Sequence, residues 1–72
     1  MSALIELHAD LLRKGDKVAL FNGRRRDPTL VKIERIAKDR DGVTLYLANG
    51  HQHRATRERP LVQVPAETAY RP

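Results

Sequence analysis

The sequence predicts a mainly β protein: one small, strongly bent barrel of five short strands behind a short N-terminal helix. Three observations carry this. Asn22-Gly23, Asp41-Gly42 and Asn49-Gly50 are dipeptides that accept the positive φ angles of tight hairpin turns. Runs rich in β-branched residues, alternating with period two, lie between and beside them. Finally, 72 residues that are 40% hydrophobic and contain no cysteine supply one modest core, which a small barrel uses better than a two-layer sandwich.

Each element follows in order. In residues 2–13, Leu4, Leu7 and Leu11 share a helical face, His8 and Leu12 flank it, and Ser2 suits an N-cap, so a short helix is favoured. Ala3–Leu7 as a short strand, followed by a turn of helix through Ala9–Leu12, is the alternative. Lys17–Phe21 is the next strand, with Val18 and Leu20 on one face. Thr29–Ile36 places Val31 and Ile33 together and then slips phase at Ile36, which marks a bulge or bend near Glu34-Arg35. Val43, Leu45 and Leu47 alternate cleanly with Thr44, Tyr46 and Ala48. His51–Arg57 reads as a polar strand, and Leu61–Val64, opened by Pro60, closes the set. The organisation is a packing segment at 1–14, the barrel at 15–64 and a flexible tail at 65–72, where two prolines break any pattern.

Charge narrows the function. The chain carries +5 overall, from 14 basic and 9 acidic residues. Residues 11–59 hold 13 basic against 6 acidic side chains, a local excess of 7. A basic domain of this size is drawn to polyanions: DNA, RNA or an acidic protein surface. Without cysteine there are no disulfides and no thiolate metal sites, as suits a reducing compartment. No apolar run approaches the roughly 20 residues of a membrane span, and the N-terminus lacks the pattern of a secretory leader, so a cytoplasmic location is expected.

The stretch Leu12-Arg13-Lys14-Gly15-Asp16-Lys17-Val18 resembles the start of many SH3-like small barrels, where a glycine-aspartate turn leads into the first core strand. Gly15-Asp16-x-Val18, then Gly23, Val31-x-Ile33 and Ile36, is similar to a degenerate KOW motif, the SH3-like module of ribosomal proteins and transcription elongation factors. The resemblance covers about residues 11–64. It departs from the motif at Pro28-Thr29-Leu30, where a glycine usually precedes the valine. It implies an SH3-like barrel, a fold that also serves peptide, histone-tail and subunit binding.

Two arginine clusters are the candidate binding residues. Arg24, Arg25 and Arg26 follow the Asn22-Gly23 turn, where at least two guanidiniums must face solvent and can fork onto phosphate oxygens. The polar strand and the loop after it supply Arg54, Arg57 and Arg59, with Lys32 and Arg35 as flanking charges. On that strand His51, His53, Ala55 and Arg57 share one side, and Ala55 suits a crowded inner position that draws His53 partly inward. Phe21 and Tyr46, on the phase opposite the main apolar set, are candidates for stacking on bases. His51-x-His53, even with His8, lacks a cysteine or a nearby carboxylate to complete a ligand set, so neither metal nor cofactor is expected.

No catalytic constellation is present: no nucleophile with its base, no glycine-rich phosphate cradle, no paired carboxylates in an apolar setting. Two readings remain. One is a binding module for the DNA or RNA backbone, tolerant of sequence because phosphate contacts position without specifying. The other is a protein-interaction or assembly module, such as a small phage or accessory protein docking on an acidic partner. An edge strand and an apolar N-terminal segment further suggest a homodimer.

Overall fold

The computed structural model describes residues 3–21 and 28–70. Its described residues form six strands and two short 3-10 helices: β1 (Leu4–His8), a 3-10 turn (Ala9–Leu11), β2 (Lys17–Leu20), β3 (Thr29–Lys38), β4 (Gly42–Leu47), β5 (Gln52–Thr56), β6 (Leu61–Pro65) and a second 3-10 helix (Ala66–Tyr70). The mainly β class expected from the turns and alternation is therefore present. Strands β2-β3-β4-β5 make an antiparallel meander in that order, and β1 pairs with β6 in a separate two-stranded sheet. The larger sheet curls into a half-barrel, and β6 packs beside β2 to help cover its inner face.

The N-terminal helix is replaced by a strand, and the strand count rises from five to six. The leucine spacing fits both structures, and the partner decides. Leu4–His8 aligns antiparallel with Leu61–Pro65, so its backbone polar groups join a ladder, and Ile5 and Leu7 pack against the core. A helix presenting Leu4, Leu7 and Leu11 together would need Leu11 covered, yet Leu11 is 58% exposed. Instead Ala9 and Leu12 are buried, at the 3-10 turn and just after it. The segment expected to be a flexible tail is also structured through Tyr70: Pro65 ends β6, the Ala66 N–H donates to the Ala3 carbonyl, and Thr68 is buried.

Two glycines make the sheet bend. Gly15 (φ +97°) and Gly50 (φ +85°) have left-handed backbones that side-chain-bearing residues avoid. The Gly15 N–H donates to the Ile33 carbonyl while the Ile33 N–H donates to the Asp16 carbonyl. In the same pattern, the Gly50 N–H donates to the Leu47 carbonyl and the Leu47 N–H to the His51 carbonyl. Both are glycine β-bulges, two residues opposing one, which sharpen the local twist. A third irregularity lies in β3 between Ile33 and Arg35, where the phase slip was expected.

The core these bends enclose centres on Val18, Ile33, Leu45 and Val64, with Val31, Val43, Leu47, Ala55 and Val62 around them. Gly42 serves a different purpose from the one its Asp-Gly dipeptide suggests. It does not take a positive φ; a Cβ there would overlap the carbonyl oxygen of Ala55 on β5. The tight turn before it is made by Asp39, whose carboxylate accepts from the N–H groups of Asp41 and Gly42.

Candidate nucleic-acid interface

The outer face of the β2–β5 sheet gathers cations because of strand phase. Val18 and Val31 oppose each other and point inward, so their neighbours Lys17 and Lys32, also directly opposed, point outward. Strict alternation from Ile33 would send Arg35 into the core. The bulge at Glu34 absorbs one residue, so Arg35 emerges opposite Tyr46 on the outer face while Ile36, opposite buried Leu45, returns inward. The Arg35 guanidinium then lies 4.1 Å from the centroid of the Tyr46 ring, a cation–π contact. Gln52 follows Tyr46 on β5, and Arg54 follows Thr44 one row on. Lys17, Lys32, Arg35 and Arg54 thus run as a diagonal stripe across one face.

Arg54 differs from the other three. It donates to the Thr44 hydroxyl at 2.8 Å and to the Asp39 carboxylate at 2.9 Å. The Arg54 hydrogen bond, helped by the N–H groups of Asp41 and Gly42, holds the Asp39 carboxyl down at about 2. Asp39 in turn raises the Arg54 pKa through that hydrogen bond. Arg54 is therefore largely committed to tying β5 to the β3–β4 turn. Lys17, Lys32 and Arg35 form no ion pair with a carboxylate among the described residues.

The other candidates are placed as follows. Arg24, Arg25 and Arg26 lie outside the described residues, in the connection between β2 and β3. Arg57 and Arg59 leave the sheet in the β5–β6 connection; the Arg57 N–H donates to the Asp41 carbonyl, and the Arg59 N–H to the Thr56 hydroxyl. Phe21 is 53% exposed and lines an apolar groove with Leu20, Leu61 and Val62 between β2 and β6. Tyr46 is not near it. Leu20 aligns with Thr29 and Tyr46 with Arg35, six residues apart along β3 or about 20 Å, so the two rings do not share a platform. Within β5, Ala55 is buried and His53 half-buried, as the alternation implies.

Sequence reasoning missed Lys17 and Asp39. Lys17 was accessible, since it precedes an inward valine and so must face outward. The Asp39–Arg54 pair was not, because it depends on the β4–β5 register, which sets Arg54 opposite Thr44 and so beside the turn that holds Asp39. Among the described residues no three His, Cys, Asp or Glu side chains come together as a metal site. No helix among them is long and apolar enough to cross a membrane. No family model, curated protein or solved structure matches the chain.

Proposed function

We propose that this chain is a non-catalytic SH3-like barrel that binds the phosphate backbone of nucleic acid across the outer face of strands β2–β5. The observation that carries the reading is the stripe itself. Lys17 stands opposite Lys32, an arrangement of like charges that costs stability, and a bulge turns Arg35 outward beside them. None of the three forms an ion pair among the described residues. Tyr46, stacked under Arg35, adds an aromatic surface to the same face. Such a surface binds with little sequence preference and strong salt dependence.

The test is fluorescence anisotropy with short DNA and RNA duplexes and single strands over a salt series. Replacing Lys32 and Arg35 with alanine should lower the slope of log affinity against log salt by roughly two units on duplex DNA. Replacing Arg24, Arg25 and Arg26 measures what the β2–β3 connection adds. Absence of binding at low salt overturns the reading. The alternative, docking on an acidic protein, is favoured by one observation: among the described residues β5 pairs only with β4, and its other edge can take an added strand.

A further inference from the structure

At one end of the half-barrel the inner rows run out into a cavity of about 340 Å³, on the scale of a small-ligand site. Buried Ala9, Val43 and Ala55 form its base. Three cations line it from three parts of the chain: Lys38 at the end of β3, Arg40 in the β3–β4 turn and Arg57 just beyond β5. Register explains the convergence. Lys38 aligns with inward Val43, Val43 with inward Ala55, and Arg57 lies two residues past Ala55 on the same phase.

The carboxylates lining the cavity are Asp10 and Asp39. Asp39 is spent on Arg54 and two backbone N–H groups, whereas Asp10 is not neutralised: the His8 Nδ1 that lies 3.5 Å from its carboxylate is itself the acceptor of the Asp10 N–H. Lys38, Arg40 and Arg57 form no ion pair among the described residues. The cavity therefore combines an apolar base with a rim on which three cations outnumber the one carboxylate left over, that of Asp10, and it lies apart from the outward stripe of Lys17, Lys32 and Arg35.

We propose that this end cavity binds a phosphate monoester carrying a flat body, with the phosphate between Lys38, Arg40 and Arg57 and the body over Ala9, Val43 and Ala55. That chemistry has two sources: a free nucleotide, or the phosphorylated end of a nucleic-acid strand. The inference does not depend on backbone binding by the outer face, and the two can fail separately.

The test is two-dimensional amide NMR of the intact protein titrated with AMP, adenosine, inorganic phosphate, and a short oligonucleotide with and without a 5′-phosphate. AMP should shift amides in residues 8–10, 38–43 and 55–57, more strongly than adenosine or phosphate alone. A 5′-phosphate that adds these same shifts to the oligonucleotide's identifies the strand end as a source; AMP shifts without that difference identify the free nucleotide. Lys38→Ala and Arg57→Ala should each weaken AMP binding roughly three- to fivefold, as loss of an exposed charge contact does. Asp10→Asn should strengthen it. All three positions are at the surface, and the unliganded spectrum reports directly whether each variant is folded. Shifts confined to the outer-face rows, no shifts with AMP at millimolar concentration, or weakening by Asp10→Asn would overturn the proposal.

Discussion

Ile33 on β3 and Leu47 on β4 face each other in register, and each is also the single residue opposite a glycine β-bulge on its other side. One row across the sheet thus reads Gly15-Asp16, Ile33, Leu47, Gly50-His51. Both central side chains are buried, Ile33 completely. The sheet bends on this row, and the two side chains fill the space the bend encloses.

Truncating this pair should be severe. Ile33→Ala or Leu47→Ala is expected to cost about 2–5 kcal/mol, a large share of the stability a domain this small can have. Urea denaturation followed by circular dichroism checks this; a loss below 1 kcal/mol would show that the row is not central to the core.

The glycines should separate into two classes. Gly15→Ala and Gly50→Ala meet no steric obstacle but must hold a left-handed backbone, at about 1–2 kcal/mol each. Asn at position 50 should recover part of that loss, because Asn tolerates the region better. Gly42→Ala should cost more than either, because its Cβ would meet the fixed Ala55 backbone rather than a movable side chain. Melting temperatures of the four variants give the order directly.

Acid stability should carry the signature of Asp39. Its carboxyl is depressed from an ordinary 3.8 to about 2 by Arg54 and the turn amides. A folded-state pKa below the unfolded one stabilises the protein above the unfolded value, and this contribution is lost as pH falls through the folded value. Asp39→Asn should therefore be less stable than wild type at neutral pH, and the difference should shrink between about pH 4 and pH 2. A difference that stays constant over that window would mean the pair contributes nothing that titrates.

Lys17 and Lys32 set stability against binding. Replacing Lys17 with threonine removes a like-charge cross-strand pair and adds a good strand residue, so stability should rise by roughly 0.2–1 kcal/mol. Affinity for nucleic acid should fall in the same variant. Thermal melts and anisotropy on one preparation test both; a rise in both would remove Lys17 from the interface.

The sequence was most legible where signals are local. Alternation from Val43 to Leu47 put these residues in the core, and the slip at Ile36 located the bulge that turns Arg35 outward. It was least legible where a distant partner decides. The N-terminal leucines suited a helix until β6 supplied a ladder, and the segment after Pro65 looked patternless because its anchor is Ala3 at the other end of the chain. Asp41-Gly42 shows a subtler ambiguity: a glycine required for close strand approach looks identical, in sequence, to one required for a turn. Among the candidate cations, Lys32 and Arg35 could be placed from phase, whereas Arg54 could not be recognised as already engaged, because its partner Asp39 is assigned by tertiary register.

The pairing of β1 with β6, Leu4 opposite Pro65, joins segments about sixty residues apart, whereas β2 to β5 are sequential neighbours in an antiparallel meander. Closing so long a loop is entropically slow, so the meander should assemble first and the terminal pair should dock after the rate-limiting barrier. In stopped-flow kinetics, Ile5→Val should then accelerate unfolding and leave the refolding rate nearly unchanged, while Leu45→Ala should slow refolding. If Ile5→Val slowed refolding in proportion to its loss of stability, the terminal strands would belong to the nucleus instead.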